Sequence, residues 1–181
     1  MGKKFFNIIG TMTGTSMDGI DISLVSTNGE KLTRGNKNYF YKYKNSTRDF
    51  LLNLSKEKPW FIKKNIKEFN EIITDEHYMA LQKSSFLNSA EFVGFHGQTI
   101  HHDIKNKLSI QLGSPKLLAN KINKSVISKF RDKDIRNGGV GAPLAPIYHK
   151  FLIEEIQLKQ PAAIINIGGI SNITYVNKNK L

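Results

Sequence analysis

Between Gly10 and Asp21 the chain reads GTMTGTSMDGID, in which Gly10, Gly14 and Gly19 are interspersed with the hydroxyl residues Thr11, Thr13, Thr15 and Ser16. Such a run is too rich in glycine and small polar residues for a helix. It is flanked by FFNIIG and IDISLVS, whose β-branched and aromatic residues favour strands. A chain that starts this way is expected to fold as a hairpin around a polar turn. The pattern returns near the end, where PAAIINIGGISNITYV sets NIGGISN between two more strand-like runs.

The residues between the two hairpins alternate helical and strand patterns. NYFYKYK reads as a third strand, and a helix starts near Ser46 and Thr47, with Asp49 in its first turn and Phe50, Leu51 and Leu54 at helical spacing. A longer helix is expected over 60–87, with Ile62, Ile66, Phe69, Ile72 and Ile73 on one stripe and a break near Thr74. EFVGFHGQTIHH reads as an apolar strand ending in Gly, His and Gln; LSIQLG and SVISKF read as further strands. SPKLLANKI is a helix with a Ser cap and Pro in its first turn. RDKDIRNGGVGAPLAP holds too much Gly and Pro for regular structure, so a loop is expected there, followed by a helix over APIYHKFLIEEIQLK. The fold class is mixed α/β, a sheet flanked by helices. Residues 1–160 form a first lobe, and 161–181 open a second.

Composition narrows the function classes. The 181 residues are 39% hydrophobic, enough to bury a core. No apolar run approaches the roughly 18 residues of a membrane span, and MGKKFFNIIG loses its apolar character too soon for a secretory signal. A soluble, cytoplasmic protein with no membrane partner is expected. Cysteine is absent, which excludes disulfides and thiolate metal sites. The net charge of +12 invites a nucleic-acid partner, but only Arg34, Arg48, Arg131 and Arg136 are arginines and the lysines are scattered. That distribution describes a solvated surface and argues against nucleic acid.

Four segments carry candidate chemistry. In the first turn, successive backbone N–H groups form a concave anion site, and glycine lets a phosphate approach closely. ATP phosphates suit it. It is not a Walker A loop, because the GxxxxGK[ST] order is missing. Asp18 and Asp21 add hard oxygens for Mg²⁺. The same residues also make an ordinary polar hairpin turn. In GFHGQTIHH, His96 and Gln98 stand beside Gly97 at a strand end, where side chains can reach sugar hydroxyls. Structural or merely exposed histidines are the alternative. Zinc on His96, His101 and His102 is disfavoured, because adjacent residues cannot share one strand face. In FRDKDIRNGGVGAPLAP, Asp132 or Asp134 is a candidate general base, with Ile135 as a loop anchor for Asp134. NIGGISN, from Asn166 to Asn172, reads as a second phosphate turn.

Taken in order, GTSMDGID (14–21), HGQT (96–99), QLG (111–113), FRDKDIRNGGVGAPL (130–144) and NIGGISN (166–172) resemble the motifs of the anhydro-N-acetylmuramic acid kinases. The resemblance implies an actin-like, ribonuclease H-like fold of two lobes. ATP and sugar would lie in the cleft between them. It implies hydrolytic opening of the 1,6-anhydro bridge of anhydro-N-acetylmuramic acid coupled to phosphorylation of O6 by ATP with Mg²⁺, as part of cell-wall sugar recycling. Carried over position by position, Gly14, Thr15, Ser16, Met17, Asp18, Gly19, Ile20 and Asp21 hold the ATP phosphates, with Asp18 as the Mg²⁺ residue. Gly168, Gly169 and Asn172 grip phosphate from the second lobe. His96, Gln98, Thr99 and Gln111 line the sugar pocket, and Asp134 is the base that activates water.

The chain departs from the pattern at Lys129, where an acidic residue is expected, at Arg136 and Asn137, where a small apolar pair is expected, and at Ser114, where Asp is expected. These bear on substrate choice. Family members are about twice as long, as two lobes of ordinary domain size require. The missing lobe would come from a separate polypeptide, and homodimers are a further assembly open to the family. The competing reading is a non-catalytic remnant that binds sugar or phosphate without turnover.

Overall fold

Alternation in the first two strands sets the core. The computed structural model describes residues 3–103, 105–167 and 171–177. The first three strands are β1 (Phe6–Met12), β2 (Gly19–Thr27) and β3 (Leu32–Lys42). Ile20, Ile22 and Leu24 of β2 are buried while Asp21 is exposed, the period of a strand with one covered face. Strands β4 (Phe92–Phe95), β5 (Gln98–Asp103), β6 (Leu108–Leu112) and β7 (Ser125–Ser128) follow. The main sheet has the order β3-β2-β1-β4-β7. Its first three strands form an antiparallel meander, whereas β4 runs parallel to β1 and β7 parallel to β4. This is the mixed sheet expected. β5 and β6 form a separate antiparallel pair.

Helices α1 (Asn45–Leu54), α2 (Pro59–Lys64), α3 (Ile66–Ser84) and α4 (Pro115–Ile122) flank the sheet. α3 packs against β2, β3, β6 and α4, and buries Phe69, Ile73, Ala80 and Leu81. Each large apolar side chain buried there contributes about 1.5–3 kcal/mol. Ser114 caps α4 as expected, its Oγ accepting the Leu117 N–H at 3.2 Å, with Pro115 in the first turn.

The long helix expected over 60–87 is interrupted at Asn65, not near Thr74. Thr74 is fully buried and continues the helix: its hydroxyl donates to the Asn70 carbonyl at 2.5 Å and accepts the Ser114 N–H at 2.8 Å. A β-branched residue that reads as a breaker is instead a tether between α3 and the cap of α4.

The chain divides into two compact units, Met1–Phe130 and Arg131–Leu181. The second unit contains α5 (Asp132–Arg136), α6 (Ala145–Glu155) and the antiparallel hairpin β8 (Ala162–Asn166) and β9 (Asn172–Val176). α6 packs with that hairpin: Ile153 is buried with Ala162 and Val176, and Ile164 packs on them. α5 also corrects the expectation of an irregular loop over 131–146. Among the described residues, no helix is long and apolar enough to cross a membrane.

Candidate functional site

The polar turn is narrower than its composition suggests. The β1–β2 ladder persists to the pair Met12↔Asp21, so Gly10, Gly19, Ile20 and Asp21 are strand residues and the turn proper is Thr13–Asp18. Gly19 has a strand reason to be glycine: a Cβ there would collide with the Tyr41 carbonyl and the Phe40 ring. Within the turn, the Met17 N–H donates to the Gly14 carbonyl at 3.3 Å, and Met17 takes a left-handed conformation (φ 52°) with its side chain buried. Thr15, Ser16 and Asp18 are exposed, and the Ser16 hydroxyl donates to Asp18 Oδ1 at 2.6 Å.

Three contacts fix this turn from outside. The Thr13 hydroxyl donates to the Gly97 carbonyl at 2.9 Å, Gln98 Nε2 donates to the Gly14 carbonyl at 3.1 Å, and the Tyr43 N–H donates to the Asp18 carbonyl at 3.0 Å. The structure therefore brings the first two sequence motifs together. Gln98, expected to face the sugar, is engaged inside the protein. That side chain is fully buried: Nε2 also donates to the Thr99 carbonyl at 3.2 Å, and Oε1 accepts the Tyr43 hydroxyl at 3.4 Å.

Beside Gln98, Thr99 and Gln111 are partners across the β5–β6 ladder, and both are half-buried. Gln111 Nε2 donates to Ser109 Oγ at 2.6 Å and more weakly to Thr99 Oγ1 at 3.4 Å. His96 is half-buried on the same connection, its Nδ1 2.9 Å from the Gly97 carbonyl. Gly97 has φ +72°, and a Cβ there would meet the Leu112 carbonyl. Only glycine lets this connection pass so close to β6.

In the second unit, the Asp134 carboxylate lies over a glycine loop. Its Oδ2 accepts the Gly141 N–H at 2.7 Å, and its main-chain carbonyl accepts the Gly139 N–H at 2.9 Å. A Cβ on Gly139 would overlap the carboxylate, and one on Gly141 (φ +68°) would overlap Ile135. Arg131 Nη1 donates to the Gly141 carbonyl at 2.5 Å, so both polar groups of Gly141 are held by α5 and its N-cap. Among the described residues the Asp132 side chain makes no such contact; its carbonyl accepts from Arg136 Nε at 3.2 Å. Asn172 opens β9 opposite Asn166. Gly168 and Gly169 lie outside the described residues.

A sequence model of the anhydro-N-acetylmuramic acid kinase family matches residues 6–181. The chain belongs to that family. Among curated relatives, the anhydro-N-acetylmuramic acid kinase of Pelagibacter ubique (strain HTCC1062) is 41% identical, over 96% of this chain and 48% of its own length. The one from Zymomonas mobilis subsp. mobilis (strain ATCC 31821 / ZM4 / CP4) is 38% identical over 95% and 50%, and that from Rhodopseudomonas palustris (strain ATCC BAA-98 / CGA009) is 34% identical over 93% and 49%. The chain spans about half the length of the curated relatives it matches.

Within this kinase-family lobe, the electrostatics of the turn favour a cation. Partial desolvation, and then the charge of Asp18, hold the Asp21 carboxyl above its ordinary value. Two carboxylates and exposed hydroxyls fit Mg²⁺, which takes one or two protein carboxylates and completes its shell with water and substrate phosphate. Beneath the turn, burial and then Glu76 raise the Tyr41 hydroxyl to about 12. Two of the positions where another residue was expected have a definite local setting. Ser114 caps α4, a task that Asp performs equally. Lys129 takes a left-handed conformation (φ 60°) just after β7. Tyr43 is the residue that sequence reasoning missed, and its only signal was the alternation of Tyr39, Tyr41 and Tyr43.

Proposed function

We propose that the chain is the ATP-phosphate-binding and base-bearing part of a cytoplasmic kinase acting on 1,6-anhydro-N-acetylmuramic acid. The observation that carries this reading is the tethered turn Thr13–Asp18. Its carbonyls at Gly14 and Asp18 are tied inward, while Thr15, Ser16 and Asp18 are exposed to a ligand. Phosphoryl transfer depends mostly on positioning and charge neutralisation, and a turn held at both ends supplies positioning.

In this reading Gly14 to Ser16 present N–H and hydroxyl donors to ATP phosphates, and Asp18 holds Mg²⁺ with Asp21 behind it. ATP supplies the γ-phosphoryl group and Mg²⁺ offsets its charge. Gly168, Gly169 and Asn172 make a second phosphate contact. His96, Thr99 and Gln111 bind sugar hydroxyls, with Gln98 acting on the turn. Asp134 accepts a proton from water as the water oxygen bonds to the anomeric carbon. The bond from that carbon to O6 breaks, O6 bonds to the γ-phosphorus, and ADP leaves. The product is N-acetylmuramic acid 6-phosphate.

The test supplies this chain with a polypeptide corresponding to the second half of a relative, and assays ATP- and Mg²⁺-dependent formation of the 6-phosphate. Product is expected from the wild type and a loss of at least about a hundredfold from Asp134→Asn, the scale of removing a general base. No product with a verified, folded partner overturns the reading.

A further inference from the structure

We propose that Tyr43 is the positioning residue of the phosphate turn, holding its two ends at once through its backbone N–H and its phenolic hydroxyl. The N–H fixes the downstream end, donating to the Asp18 carbonyl at 3.0 Å. The hydroxyl fixes the upstream end indirectly, donating to Gln98 Oε1 at 3.4 Å. The two carbonyls that Nε2 reaches set which way the Gln98 amide faces, and the longer Tyr43 contact partners the Oε1 left buried behind it. With Oε1 engaged by Tyr43, Nε2 is aimed at the Gly14 and Thr99 carbonyls, 3.1 and 3.2 Å away. A flipped amide would set Oε1 against both carbonyls and leave the turn untied.

Burial makes the bracket strict. Tyr43 is 3% exposed and Gln98 0%, so water does not replace a lost partner. Burial, and after it the charges of Glu76, Tyr41 and Asp18, push the Tyr43 hydroxyl above the usual tyrosine range. It therefore stays a donor wherever the protein is folded and active. Met17, between Gly14 and Asp18 in sequence, takes a left-handed conformation and buries its side chain with the main core cluster, which anchors the turn further. Tyr43 acts on the ligand only through the turn, so its functional meaning rests on the phosphate role proposed above, whereas the bracket is a property of this chain alone.

The experiment compares the full chain with Tyr43→Phe, which removes the hydroxyl and keeps the ring, and with Gln98→Met, alone and combined. Amide hydrogen exchange is read by segment. Tyr43→Phe is expected to speed exchange at 14–18 about tenfold, the scale of one lost buried hydrogen bond, and to leave β1 and α3 unchanged. In the Gln98→Met background, which lacks Oε1, adding Tyr43→Phe should change exchange there by less than about twofold, because coupled residues are not additive. Unchanged exchange in the single variant, or full additivity in the double, overturns the bracket. If Tyr43→Phe alone is too unstable to study in buffer, the same exchange comparison is made for both proteins in a stabilising osmolyte, where exchange at 14–18 no faster than in the wild type overturns the bracket. In the reconstituted kinase, Tyr43→Phe should raise KM for ATP about tenfold with KM for the sugar unchanged, and an equal rise in both overturns the positioning role. An inactive wild-type reconstitution would count against the proposed function, and exchange at 14–18 would still decide the bracket.

Discussion

Gln98 donates from Nε2 to the carbonyl of Gly14 across 84 residues of sequence, with its own side chain wholly out of solvent. The contact welds the start of β5 to the N-terminal turn and demands an amide. Gln98→Glu keeps the shape but, once ionised, has no donor for the Gly14 carbonyl and buries a charge. Burial raises a carboxyl pKa above its unfolded value near 4.3. The variant should therefore approach wild-type stability below about pH 4 and lose ground as pH rises through its raised folded pKa. At neutral pH the expected cost is about 1–3 kcal/mol. Urea midpoints of variant and wild type, compared at each pH, check this, and a difference independent of pH would contradict it.

Gly97 and Gly10 test where glycine is required. Gly97 has φ +72° and its Cβ would strike the Leu112 carbonyl, while Gly10 has nothing within 4 Å of a built Cβ. Gly97→Ala should cost about 1–3 kcal/mol, as a strained left-handed position does, and the Gly97 carbonyl should release Thr13. Gly10→Ala should be close to neutral. Melting temperatures settle both, and equal losses would mean that the close approach at Gly97 carries no special cost.

His77 makes stability depend on acid. It is fully buried on α3, its Nδ1 is 2.8 Å from the Ile73 carbonyl, its Nε2 has no partner among the described residues, and its ring stands edge-on to Phe95 with centroids 4.7 Å apart. Burial lowers its pKa to about 4, against a weaker opposing pull from the Ile73 carbonyl and a further lowering by His96. A histidine depressed in the folded state contributes stability that is complete above its unfolded pKa near 6.5 and is lost as pH falls towards 4. Unfolding midpoints should hold steady above about pH 6.5 and decline below it. His77→Leu should flatten that decline, and an equally steep decline in the variant would assign the acid sensitivity elsewhere.

How much of this was legible in the sequence depended on the range of the interactions involved. β2 and α4 were readable because their signals are local: Ile20, Ile22 and Leu24 alternate with Asp21 and Ser23, and Ser114 with Pro115 announces a helix start. The limits of the polar turn were not, because Gly10 and Asp21 belong to a ladder whose register depends on both strands together. Thr74 was misread because its hydroxyl answers an N–H 40 residues away. Ile135 is the local feature that sets Asp134 apart from Asp132, whereas the bond from the Gly141 N–H to Asp134 comes from a loop seven residues on and has no local signal. The inward bonds of Gln98 were not legible either, because an internal clamp and a sugar contact use the same residue beside the same glycine, and burial is a property of the folded chain.

That bond to Gly141 separates two reasons for Asp134 to matter. Asp134→Asn keeps an oxygen to accept the Gly141 N–H but removes the basic carboxylate. Gly139→Ala leaves the carboxylate and places a methyl group where that carboxylate lies. If Asp134 is a base, both variants should lose turnover in the reconstituted kinase, Asp134→Asn by at least about a hundredfold and Gly139→Ala by roughly tenfold or more through misplacement. Their structural effects should differ. Trypsin should cut the 131–136 segment, which offers Arg131, Lys133 and Arg136, markedly faster in Gly139→Ala and at the wild-type rate in Asp134→Asn. If Asp134→Asn loosened the segment as much as Gly139→Ala, its loss of turnover would be a loss of loop order, and the proton-accepting role would have to be reassigned.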